Sequence, residues 1–200
     1  MKNTKNIYIL ITISIITMFL LSGCLTSTEE NIIAGKLSPL PLTQNEENLM
    51  KVAEIEHYYK FKINLLKEIS SINVWIDEYN EGTYIRKVFR KEITIQKFNQ
   101  STTGQISITA LKRKWENNTQ AWKLSFLGLR KNDVSFVSVL PAFKSFGVAW
   151  AGEQKITKEN PGVIAILAVG GKVFFPQNDN EFNELLKDNE LVYVFRYKVK

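Results

Sequence analysis

Two hundred residues, 44% hydrophobic, 12% aromatic and 23% charged, describe an ordinary folded chain rather than a disordered or fibrous one. A single cysteine and a single histidine exclude a disulfide framework and leave no Cys/His set for a zinc or iron–sulfur centre. Any Ser-His-Asp or Cys-His mechanism would have to be built around that one imidazole, and the formal net charge of +6 needs a location.

The chain opens with two lysines among polar residues and continues as an uncharged apolar run from Ile7 to Leu21. A short positive segment, an apolar core of about 15 residues and small residues at a cut site form a secretory signal. The core falls short of the ~20 residues of a membrane-spanning helix, although an uncleaved anchor is the alternative. It ends in Leu21-Ser22-Gly23-Cys24, which resembles the lipobox of bacterial lipoproteins. That resemblance covers only the first two dozen residues. It implies cleavage between Gly23 and Cys24, a diacylglyceryl group on the Cys24 thiol and an acyl-anchored domain on the extracytoplasmic face of the cell membrane. In a cell with two membranes the outer one is open as well, because Leu25 is not the aspartate that would argue for inner-membrane retention. Two or three acyl chains hold a protein stably where one is marginal. Losing Lys2 and Lys5 with the signal leaves 24 basic against 20 acidic residues, a net +4.

Residues 24–48 carry Thr and Ser, two Glu-Glu pairs, Pro39 and Pro41 without a sustained period, and read as a flexible tether. Ile32-Ile33 or Leu40 docking on the domain is the alternative. The domain is expected over 49–200. Ile55, His57, Tyr59, Phe61, Ile63 and Leu65 alternate with polar residues as a half-buried strand does. Ile72, Val74 and Ile76 repeat the pattern, and Asn80-Glu81-Gly82 predicts a turn into 84–89. Period-two segments follow at 93–95, 106–110, 122–126, 134–140 and 146–150. Residues 163–169 are apolar on both faces, as in a central strand. Gly170-Gly171 predicts a two-residue hairpin into 172–175. A short helix is expected around Phe182, Leu185 and Leu186, and a last strand over 191–199. About ten strands with at most one short helix predict an all-β antiparallel sandwich, immunoglobulin-like in arrangement, with a barrel as the alternative.

Strong catalytic motifs do not occur: no G-x-S-x-G, S-x-x-K, H-E-x-x-H, P-loop or G-x-G-x-x-G. His57 lies in phase with Ile55, Tyr59 and Phe61, which favours a packed structural ring over a general base. Asp77, Glu78 and Glu81 could flank a glycosidic bond or hold calcium, but neighbouring strand residues point to opposite faces, so solvated turn charges are the better reading. Trp75 and Tyr79 share the face opposite Ile72, Val74 and Ile76, either packed or open to stack on a sugar or peptide. Trp115 and Trp122 flank Asn117-Asn118, read as a hairpin tip that brings one of them near the surface.

One feature stands above background. Arg86, Lys87, Arg90, Lys91, Lys97, Lys112, Arg113, Lys114, Lys123, Arg130 and Lys131 face only Glu92 and Glu116 in the same stretch. Nine of them, all but Lys97 and Lys123, are candidates for an anionic surface. Anionic lipid, an anionic wall polymer or an acidic envelope protein fits such a field, and export disfavours nucleic acid. Scattering over alternating strand faces is the competing reading. The expected function is a lipid-anchored, non-enzymatic binding or accessory module of the cell envelope, with no cofactor and no metal. The alternative is an envelope hydrolase that combines His57 with carboxylates such as Asp77, Glu78 or Asp133.

Overall fold

The computed structural model of the protein describes residues 33–95, 101–115, 119–130, 133–142 and 145–200, excluding the side chains of 112–115. The apolar run expected to be a signal, Gly23 and Cys24 lie outside the described residues, as does Asn117-Asn118, expected as a hairpin tip. Period-two patterning yields strands β1 (Ile33–Leu40), β2 (Ile55–Leu65), β3 (Ser71–Asn80), β4 (Thr83–Thr94), β5 (Thr102–Trp115) and β6 (Thr119–Leu127). They are followed by β7 (Val134–Pro141), β8 (Gly147–Trp150), β9 (Gln154–Thr157), β10 (Gly162–Val169) and β11 (Leu191–Val199). Helix α1 (Gln44–Val52) follows β1, and helix α2 (Asp179–Lys187) precedes β11.

The strands form two antiparallel sheets. One has the order β7-β6-β5-β2-β1-β9, the other β4-β3-β11-β10-β8. Their inner faces share one apolar core, in which Phe61, Ile63, Ile106 and Ile108 of the first sheet meet Ile72, Val74, Ile164 and Phe195 of the second. Trp122 reaches across to Phe195 at a ring separation of 5.5 Å, and Phe89 to Phe136 at 6.0 Å. The all-β sandwich read from the sequence is therefore the fold. It shares with immunoglobulin-like domains the pairing of two antiparallel sheets, and its strand order is the one given above.

The expected turn at Asn80-Glu81-Gly82 is present. Glu81 and Gly82 adopt φ of 45° and 80°, so both central residues are left-handed, as a type I′ hairpin requires. β10 runs between β11 and β8 with Ile164 to Ala168 all buried, the double-sided burial that its composition announced. β11 is central as well, between β3 and β10.

Three expectations change. Residues 33–48, read as part of a tether, contribute β1 and half of α1. β1 is an interior strand between β2 and β9, not a docked edge. Gly35 is needed where the backbones close in, because a Cβ there would stand 2.1 Å from the Asn64 carbonyl oxygen. Pro39 is tolerated because β9 pairs only with Ile33 to Leu37, so the missing N–H faces no neighbour. The second helix, α1, was not expected. It starts with a capping box in which the Thr43 hydroxyl accepts from the Glu46 N–H at 3.3 Å and the Glu46 carboxylate accepts from the Thr43 N–H at 2.8 Å. The third correction concerns Gly170-Gly171, which does not close a hairpin into 172–175. The chain leaves β10 there, forms α2 and returns as β11, β10's partner. The buried Asn189 side chain holds this detour: its Oδ1 accepts from the Gly171 N–H at 2.9 Å, and its amide donates to the carbonyls of Lys172 and Leu185.

Candidate binding face of the five-stranded sheet

Alternation along β3 sends Ile72, Val74 and Ile76 into the core and Asn73, Trp75 and Asp77 to the outer face. Register places Lys198 and Glu92 beside Asn73, Arg196 and Arg90 beside Trp75, and Val194 and Lys87 beside Asp77. Half of this face is apolar and covered: Ile166, Ala168, Val192 and Val194 form a second cluster with Leu185 and Leu186 of α2. The other half is polar.

There Asp77 Oδ2 accepts from the Trp75 indole N–H at 2.9 Å and lies 3.1 Å from Arg196 Nε. The Arg196 guanidinium stands 5.1 Å over the Phe182 ring of α2, and the Lys87 ammonium 5.5 Å over the Trp75 ring. Glu92 turns to Ser71, which donates to it at 2.8 Å. Asn73 is only 5% exposed and Asp77 6%, and neither amide atom of Asn73 nor Asp77 Oδ1 has a hydrogen-bond partner among the described residues. Buried polar groups without partners are uncommon and cost about 1–3 kcal/mol each. Here three such atoms lie on one face between cations and an indole.

The basic residues singled out from the sequence divide accordingly. Lys87 and Arg90 join Arg196 and Lys198 on this outer face. Arg86 and Lys91, on the same strand, turn the other way: Arg86 Nε meets Glu78 Oε2 at 2.7 Å, and Lys91 stands 5.9 Å over the Phe136 ring of the opposite sheet. Lys123 is exposed on β6 and Arg130 is exposed in the turn after it. The side chains of Lys112, Arg113 and Lys114, together with Lys97 and Lys131, lie outside the described residues. The six described cations thus do not share one face. Sequence reading missed Asn73, Arg196 and Lys198; the only available signal was the alternation of Arg196 and Lys198 against the aromatic face of the last strand.

The hydrolase candidates are not brought together. His57 packs against Trp122 at 6.2 Å and Phe146 at 5.2 Å, and burial holds its pKa below the usual imidazole value despite the Glu56 charge. Asp77 belongs to the outer face just described. Glu78 bridges Arg86 and the Tyr193 hydroxyl, which donates to it at 3.4 Å. Burial first, then the Glu78 charge, pushes the Tyr193 phenol well above its ordinary value. Asp133 accepts from the Gly128 N–H at 2.9 Å and shapes the turn between β6 and β7. Trp75 and Tyr79 are both half-buried, Tyr79 packing against Tyr84 and Phe182. The side chain of Trp115 is outside the described residues, and Trp122 is buried in the core. A separate groove of about 390 Å³ opens where β1 turns into α1, lined mainly by Pro39, Leu40, Pro41, Leu42, Tyr58 and Tyr59.

The molecule is by class an antiparallel β-sandwich with a charged, indole-bearing sheet face. Beyond the class, the chain belongs to the YgaN domain family, whose match runs over residues 37–199 and begins inside β1. A search of the curated proteins finds no match.

Proposed function

We propose that the protein is a lipid-anchored, extracytoplasmic, non-enzymatic binding module of the cell envelope, and that the polar half of the outer face of its five-stranded sheet takes an anionic ligand. Leu21-Ser22-Gly23-Cys24 supports the anchor, with acyl chains on Cys24 holding the domain at the membrane. The observation that carries the binding reading is the buried Asn73 side-chain amide, without a hydrogen-bond partner among the described residues, on the same face as Lys87, Arg90, Arg196 and Lys198. Cations supply attraction to phosphate or carboxylate, the Trp75 ring supplies a stacking surface, and the Asn73 amide supplies a donor and an acceptor. The wider positive stretch, including Arg86, Lys91 and Arg130, adds a general field.

Two experiments test this. Metabolic labelling with a clickable fatty acid should mark the protein in the membrane fraction, and Cys24→Ala should abolish both label and retention; an unlabelled, membrane-free wild type overturns the anchor. Residues 31–200 should then bind vesicles containing phosphatidylglycerol at low salt and release them as ionic strength rises. The double substitution Lys87→Ala/Arg90→Ala should weaken binding more than Arg86→Ala/Lys91→Ala does. Equal losses from the two pairs would reject the face, and no binding at low salt would reject the anionic ligand. Asn73→Val separates stability from function: it should stabilise the fold by about 1–3 kcal/mol by removing an unsatisfied amide, yet reduce binding.

A further inference from the structure

Among the described residues four strands end the two sheets: β7 and β9 in one, β4 and β8 in the other. An edge exposes unpaired N–H and C=O groups, and folded proteins blunt it with charge, bulges or short length. β8 and β9 are four residues each. β4 carries Arg86, Lys87, Arg90, Lys91 and Glu92, and its register against β3 shifts twice. β7 has none of these defences. Its eight residues, Val134-Ser135-Phe136-Val137-Ser138-Val139-Leu140-Pro141, contain no charge and pair with β6 without a register shift. A proline stands only at the last position. Val137 and Val139 point outward, 57% and 48% exposed. Phe136 points inward against Phe89 and Phe126, so the strand is firmly seated while its other edge has no partner strand among the described residues.

We infer that β7 is a self-association edge: a second copy of this chain lays its own β7 antiparallel against it across a two-fold axis, joining the two six-stranded sheets into one of twelve. Across such an axis every side chain meets its own kind or a near neighbour, so an uncharged edge avoids the like-charge opposition that a basic strand would meet. Self-pairing of β4 would set arginines and lysines against one another. The β7 edge is self-complementary: with Ser138 on the axis, Val137 of each copy faces Val139 of the other, and Phe136 faces Leu140. Such β-branched and aromatic cross-strand pairs each contribute favourably. A peptide from another protein would find the same hydrogen-bonding edge but no reason for this register.

The test uses the full chain in its native membranes. Cys24 is the only cysteine, so Val137→Cys/Val139→Cys supplies the only other thiols. Mild copper-catalysed oxidation should give a disulfide-linked species of twice the chain mass, absent from the unsubstituted chain. Two thiols at i and i+2 on one strand sit too far apart to bridge within a chain, since a disulfide needs Cβ atoms about 4 Å apart. Ile85→Cys on β4, which is comparably exposed, should give none. In detergent, sedimentation equilibrium of the unsubstituted chain should report a dimer, and Val137→Lys/Val139→Lys should halve the mass, because each cross-strand pair of this register would then set two lysines against each other. A monomeric unsubstituted chain, a cross-link to a protein of different mass, or a ladder of higher species would each overturn the closed two-fold pairing.

Discussion

Two helices pack on the sandwich, and they are attached by opposite chemistry. α2 is nailed to the outer face of the five-stranded sheet by Leu185 and Leu186, which are buried against Ile166, Ala168, Val192 and Val194. α1 has no buried residue. Its link to β2 on the six-stranded sheet is Glu46, whose two carboxylate oxygens each lie 2.7 Å from the largely buried Lys60 ammonium. The sheets differ in the same sense. The outer face of the five-stranded sheet carries branched apolar side chains in β10 and β11. That of the six-stranded sheet carries buried hydroxyls at Ser107, Thr109 and Ser125, where Ser135 donates to Ser125 at 2.8 Å. A strand apolar on both sides calls for a covering element, whereas a hydroxyl such as Ser125, bonded to its neighbour within the sheet, does not.

The largest effects should come from the apolar attachment. Leu185→Ala should cost about 2–5 kcal/mol in urea unfolding, as a buried leucine leaving a cavity does. Ser125→Ala on the other sheet should stay near ~1 kcal/mol, the typical worth of one hydrogen bond, here the one that Ser125 accepts from Ser135. Comparable losses at the two positions would erase the distinction between the faces. Next comes β1, which ties the N-terminal segment into the six-stranded sheet. Gly35→Ala should destabilise by about 1–3 kcal/mol through overpacking, because the added Cβ meets the Asn64 backbone. A neutral Gly35→Ala would return this stretch to the status of a tether.

Smaller effects are those of pH. His57 has a folded pKa below its ordinary value of 6.5, chiefly because burial disfavours the charged ring. The unfolded chain therefore binds the proton first, and stability should decline as pH falls below about 6.5. His57→Phe should flatten that part of the curve. Glu46 is held at about 2, from an ordinary 4.5, first by Lys60 and then by the Thr43 N–H and hydroxyl. Its contribution is present above about 4.5 and is lost as pH falls toward 2. Hydrogen-exchange protection of α1, taken relative to the intrinsic rate at each pH, should accordingly fall in acid while that of α2 does not, and Glu46→Gln should remove the acid response of α1. An equal response of both helices would mean that α1 is held by something other than this pair.

The strands whose alternation is unbroken were legible without coordinates. β2, β3 and β11 alternate cleanly, β10 announces its central place by being apolar throughout, and α2 shows Phe182, Leu185 and Leu186 at helical spacing. β1 was hidden because Gly35 and Pro39 are loop residues by propensity. Only the close approach of Asn64 and the early end of β9 make them strand residues. Gly170-Gly171 misled for a related reason: two glycines permit a hairpin, but the apolar outer faces of β10 and β11 need a helix between them. The candidate site shows the same limit. Lys87 and Arg90 stood out as charge, yet local sequence offered no way to separate them from Arg86 and Lys91. That sorting follows from the register shifts of the β3–β4 hairpin, and Arg196 arrives from more than a hundred residues away.

Local chemistry, then, is what the sequence by itself determined: a succession of half-buried strands, a turn at Asn80-Glu81-Gly82 and an excess of positive charge between residues 84 and 131. These depend on neighbours along the chain, through side-chain period and backbone preference. Only the tertiary structure decided which strands are edges, which faces are covered and which cations stand beside Asn73, Trp75 and Asp77. Those are properties of pairing between distant segments. A shift of one residue in register, or one bulge, moves a side chain from one face of a sheet to the other.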